Sequence, residues 1–192
     1  MISEGVYINS IGFLESQLRQ LFASVVWTHK IQEKQADIYL KQYKCLEFWR
    51  ILLSALTSSG IFAVIFVDEL WLKLITAIVS AISLFISTYF KTYDLKLLQK
   101  EHKKSALALL ELREELVSVL CDIKMNKYKE DELFKKRDDL IKKKIKIANN
   151  TLDASENAVN QASENLKKRK DNTYSDEEID SFLPLLARKD KN

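Results

Sequence analysis

Three glycines and one proline in 192 residues leave little to reverse a chain tightly, and sheets joined by short turns need both residue types at their reversals. An all-α fold is what remains. Cysteine is scarce as well: Cys45 and Cys121 lie in separate helical patterns without metal-ligand spacing, which reads as two free thiols in a reducing compartment. With His29 and His102 as the sole histidines, no metal centre and no catalytic pair is expected, and no cofactor. A glycine-rich loop that would cradle phosphates is missing too. The chain therefore reads as a non-enzyme. Nor does one sign of charge dominate: 30 basic against 27 acidic residues give +3, which argues against a bulk nucleic-acid binder and leaves local basic clusters as anion sites. The opening MISEGVYINS holds Glu4 and no basic start before an apolar run, so a cleaved signal peptide is not expected. Membrane insertion has to rest on internal segments.

Two segments carry no charge at all. Residues Ile51 to Val67 (ILLSALTSSGIFAVIFV) and Leu74 to Phe90 (LITAIVSAISLFISTYF) are apolar around the whole helical circumference. Each would rise roughly 26 Å as a helix, close to the minimum for crossing a bilayer. Phe48, Trp49, Tyr89 and Tyr93 flank them as interfacial anchors. A buried hairpin of a soluble protein is the competing reading, but the rest of the chain has little with which to cover two such runs. Between them DELWLK, residues 68–73, is long enough only for a turn, while Lys30, Lys34, Lys41, Lys44 and Arg50 precede the first run and Lys91, Lys96, Lys100, Lys103 and Lys104 follow the second. This asymmetry places both termini in the cytosol and the hairpin in the inner membrane.

Within the second run Thr76, Ser80, Ser83 and Ser87 step by four, three and four, so they share one helix face. Two uses fit that face. Small residues allow close helix packing with hydroxyl hydrogen bonds; alternatively the four residues line a water-filled path, which a single hairpin cannot enclose and a homo-oligomer can. The first run adds Ser54, Thr57, Ser58, Ser59 and Gly60.

Beyond the membrane, Leu95, Leu98, His102, Ser105, Leu109, Leu112, Leu116, Val119 and Ile123 recur at steps of three and four, the pattern of a packing seam. With no Gly or Pro from Trp71 to Ile123, one continuous rod is expected there. Further helices are expected over Glu130 to Ile147 and Thr151 to Lys170, folding back on the rod, and His102 is expected as a packed core residue. Upstream, Ile11 to Trp27 and His29 to Glu47 read as one or two amphipathic helices leading into the membrane. Ser175 and Glu178 form a capping-box pattern before a short acidic helix ending near Pro184. The chain thus divides into N-terminal helices (1–47), a transmembrane hairpin (48–93), a cytosolic helical bundle (94–170) and a tail (171–192).

Basic clusters lie at Lys103 and Lys104, at Lys135, Lys136 and Arg137, at Lys142 to Lys146, and at Lys167 to Lys170. Most read as solvated faces beside anionic lipid. Lys135, Lys136 and Arg137 are the first candidates for a phosphorylated ligand, since Arg137 can grip a phosphate bidentately with Asp138 beside it, and Lys103 with Lys104 come second.

The segments THKIQEKQADIY (28–39), STYFKTYDL (87–95), EHKKSALALLELREEL (101–116) and YSDEEIDSFLP (174–184) together resemble the SLATT family. These are two-transmembrane effectors associated with bacterial nucleotidyltransferase defence systems. The resemblance implies an oligomeric pore that disrupts the membrane of a phage-infected cell under control of a nucleotide or oligonucleotide made by a neighbouring enzyme. It leaves open where that signal binds and whether it opens or closes the pore. The positions matching the family's motifs, Thr28, Lys30, Glu33, Lys34, Arg113, Glu114, Arg137 and Asp138, serve either the fold or the ligand. A membrane-tethered scaffold that recruits a partner through the coiled-coil seam is the alternative.

Overall fold

The computed structural model describes residues 2–67, 69–171 and 175, with side chains from Ser10 onward. Glu178, which completes the capping pattern expected with Ser175, and Pro184 fall outside the described residues. The described residues form five helices and no strand: α1 (Ile2–Phe66), α2 (Leu70–Thr92), α3 (Leu95–Lys124), α4 (Glu130–Asn149) and α5 (Glu156–Lys167).

Helix α1 is 65 residues long, so it extends roughly 100 Å at the usual helical rise. No proline interrupts it, and its side chains set a seam of period seven: Leu18, Val25, Gln32, Tyr39, Leu46, Leu53 and Gly60 are all buried or half-buried. A seven-residue repeat keeps one stripe facing the same neighbour along the helix. That neighbour is first α3 and then α2, both running antiparallel to α1 as one strand of the hairpin. The uninterrupted rod is therefore α1.

The rod expected from Trp71 to Ile123 does not form. The chain leaves the helix at Tyr93 (φ −116°, ψ 100°) and restarts after Asp94, whose carboxylate accepts the Leu97 N–H at 2.8 Å. An aspartate at this position stabilises a new helix start, so a break needs neither Gly nor Pro. Leu95 at once turns inward and is buried.

Helices α3 and α4 are joined by a tight turn in which Asn126 takes φ 52°, a left-handed conformation that asparagine tolerates well. Tyr128 donates its phenol to Asp122 at 2.6 Å and fixes the turn. From there α4 runs parallel to α1 in a constant register. Arg137 meets Gln17, Lys144 meets Ser24, the Leu152 carbonyl meets Gln32 and Ser155 meets Gln35, every pair separated by 120 residues. Residues 151–154 are not helical, so α5 begins later than expected, at Glu156. Ser155 caps it by accepting the Ala158 N–H while donating to Gln35. The apolar core lies between α1, α3 and α4 and contains Leu14, Leu18, Val25, Leu109, Leu112, Leu116, Val119, Ile123, Leu133 and Leu140. These residues include most of the seam expected on α3.

Candidate functional site

The hairpin of α1 and α2 turns its apolar side chains outward. No residue of α2 is buried, and Phe62, Ile65, Phe66, Leu74, Leu84 and Phe85 are each more than half exposed. Both helices contain stretches long and apolar enough to cross a membrane, and those stretches are not buried. In the competing soluble hairpin they would be covered by protein. They are bare instead, and water would not tolerate so large an apolar surface.

The four small polar residues of α2 are placed differently from one another. Thr76 faces α1 at its crossing with Gly60, where an added Cβ on residue 60 would lie 2.8 Å from Thr76 Oγ1. Ser80 is half-buried. Ser83 and Ser87 open onto a groove of about 500 Å³, whose other walls are Arg50, Ile51, Ser54, Ala55 and Ser58 of α1. Two hydroxyls in α1 are satisfied within the helix itself, Ser58 donating to the Ser54 carbonyl and Ser59 to that of Ala55. Thr57 Oγ1 is buried in the hairpin without a hydrogen-bond partner. Sequence spacing pointed to Ser83 and Ser87 but did not show that Arg50 joins their groove; its guanidinium lies 5.3 Å from the Phe90 ring centre and 2.6 Å from Glu47.

The basic candidates fall at two separate levels. Helix α4 is antiparallel to α3, with Lys143 paired to Glu115 at 2.7 Å. Lys135, Lys136 and Arg137 therefore sit at the α3–α4 turn, remote from Lys103 and Lys104. Arg137 donates to Asp138 at 2.7 and 3.0 Å, reaches Gln17 at 3.3 Å, and lies over the Phe134 ring. Lys136 lies 5.1 Å above the Tyr128 ring, and Lys135 is exposed. Lys103 approaches Glu33 of α1 at 3.9 Å, whereas Lys104 is exposed on the side of α3 that faces α4 and pairs with Glu101 at 3.8 Å. There it lines a groove of about 460 Å³ with Lys146 and Asn150. This joins Lys104 to the Lys142–Lys146 cluster, a pairing invisible without the register of α4.

A buried polar layer crosses the polar helices at mid-height. His29, Lys30, Gln32, Gln35, His102, Ser105 and Asn165 are all below a tenth exposed. His102 Nδ1 is hydrogen-bonded to Gln32, which matches its expected role as a packed residue. Burial opposes the Lys30 charge, but hydrogen bonds to Asp171 at 2.9 Å and Glu33 at 3.2 Å outweigh it and raise its pKa. Burial lowers the pKa of both His29 and His102. Among the described residues, no group of three or more His, Cys, Asp or Glu side chains is placed to hold a metal ion.

An exposed apolar hairpin continuous with a packed set of polar helices defines a two-span membrane protein. Over residues 14–178 the sequence matches the SMODS and SLOG-associating 2TM effector domain family 4, and the chain belongs to this SLATT family. It is thus a two-transmembrane effector of nucleotidyltransferase-associated defence systems. No curated protein and no solved structure matches it.

Proposed function

We propose that this chain is the membrane effector of an anti-phage system: a homo-oligomeric, ion-conducting pore in the inner membrane, with both termini cytosolic. A nucleotide or oligonucleotide made by a neighbouring nucleotidyltransferase controls it. The observation that carries this reading is the hydroxyl-lined groove on an otherwise apolar hairpin. Lipid offers such a groove nothing, whereas several hairpins that turn it towards a common axis create a wetted path. Ser83 and Ser87 line that path, Ser80 continues it, and Thr76 sits at its narrow end against Gly60.

The signal is read by side chains. Lys135, Lys136 and Arg137 form the leading nucleotide site, with Asp138 holding the guanidinium flat and Tyr128 offering a ring beside Lys136. Of the second candidate pair, Lys104 shares a groove with Lys146 and keeps that role, whereas Lys103 approaches Glu33 on the α1 side. Arg137 also grips Gln17 of α1, the helix that continues unbroken into the bilayer, so a phosphate that draws Arg137 away acts on the rod directly. Conductance of the full chain in planar bilayers, with and without the neighbouring enzyme's product, tests the reading. Current that responds to the product supports it; a bilayer silent in both conditions refutes it.

A membrane-tethered scaffold is the second reading. The seam on α3 is buried against α1 and is not open to a partner, but an apolar groove of about 590 Å³ beside it is lined by Phe22, Val117, Leu120 and Met125.

A further inference from the structure

We infer that the conducted species are small inorganic anions, and that Arg50 sets this preference. The inference rests on the pore reading above and names the substrate class of that same groove. Arg50, Ser54 and Ser58 recur every four residues along α1 and face Ser83 and Ser87 of α2 across the groove. The path therefore has walls from both helices, although spacing within α2 first pointed to it. Serine hydroxyls rotate and can solvate ions of either sign, so they do not choose between them. The one ionisable wall residue does choose, and a guanidinium stays charged at every physiological pH.

Two features keep that charge effective. Glu47 pairs with Arg50, yet it is not among the groove walls, so the groove meets the cation and not its partner. The Phe90 ring backs the guanidinium and limits its swing. Around this end of the hairpin, residues 41–50 and 91–100 contribute six basic side chains (Lys41, Lys44, Arg50, Lys91, Lys96, Lys100) against two acidic ones, Glu47 and Asp94. The resulting field concentrates anions at the mouth.

The test uses the full-length chain in planar bilayers under a potassium chloride gradient, with the nucleotide state that gives current. The parent's reversal potential should lie on the chloride side. Arg50→Gln should move it towards the potassium side, and Arg50→Lys, which keeps the charge, should hold it. As a second readout, Ser58→Cys in a Cys45→Ser, Cys121→Ser background should react about tenfold faster with an anionic methanethiosulfonate reagent than with a cationic one, following the local field. Current that prefers potassium, or a preference unchanged in Arg50→Gln, overturns the anion inference and leaves the pore standing. Where Arg50→Gln carries no current the reagents decide, and equal rates overturn the inference. A parent silent in every nucleotide state sinks the pore reading itself.

Discussion

Gly60 and Thr76 meet where the two membrane helices pack, with no room for even a methyl group between them: a Cβ at residue 60 would stand 2.8 Å from Thr76 Oγ1 and 3.1 Å from its Cγ2. Threonine is stiff at χ1 and cannot swing away freely. Gly60→Ala should therefore destabilise the hairpin by about 1–3 kcal/mol, the usual cost of overpacking. Thr76→Ala on top of it should restore most of the loss. Thermal unfolding of the detergent-solubilised single and double variants measures this coupling. Additive effects would show that the two residues do not share the crossing.

The polar layer makes stability depend on pH. Burial holds His29 and His102 below their ordinary pKa, with Glu33 opposing the shift at His29 and Arg113, Lys30 and Lys103 adding to it. The unfolded chain then takes up protons at a higher pH than the folded one. Stability is full above the ordinary histidine value and falls as pH drops through about 6.5 towards the lowered folded values. The unfolding midpoint should be lower at about pH 5.5 than at 7.5, and His102→Gln should shrink the difference. Glu33 and Asp171, whose pKa values Lys30 helps to lower, add a separate loss only in the carboxylate range. A midpoint that rises on acidification would contradict this account.

Much of this architecture was legible in the chain. Scarce Gly and Pro gave the helical class, charge-free runs gave the spans, and three-four spacing gave the α3 seam from Leu95 to Ile123. The break at Tyr93 and Asp94 was not, because a capping aspartate looks like any polar surface residue until its carboxylate is seen accepting the Leu97 N–H. The shared groove of Lys104 and Lys146 and the ion pair of Lys30 with Asp171 depend on a tertiary register between distant segments, and single-helix periodicity carries no such information. The groove was half visible for the same reason: Ser83 and Ser87 announce a face, but only packing shows that Arg50 meets it.

For the nucleotide site, Lys136→Gln with Arg137→Gln should abolish binding and uncouple the channel, leaving it closed if the ligand activates and open if it inhibits. Charge-assisted contacts contribute roughly 1.5–3 kcal/mol each, so losing two weakens binding by about two orders of magnitude or more. Isothermal titration with the enzyme's product checks it. Unchanged affinity would make this cluster a solvated face and move the search to Lys103 and Lys104.

Topology is open to labelling. A cysteine replacing Asp68, in the acidic turn, should react with an impermeant thiol reagent from outside the intact inner membrane. Cys121, exposed on α3, should be protected until the membrane is permeabilised. The reverse pattern would place the nucleotide site on the wrong side of the membrane.

The central claim is that the groove conducts, and ion efflux from liposomes tests it most directly. Vesicles carrying the parent chain should leak ions in one nucleotide state and hold them in the other. Vesicles carrying Ser83→Leu with Ser87→Leu should insert the protein equally well, since leucine favours insertion, and should stay tight in both states. Efflux from the double variant equal to that of the parent would contradict the account.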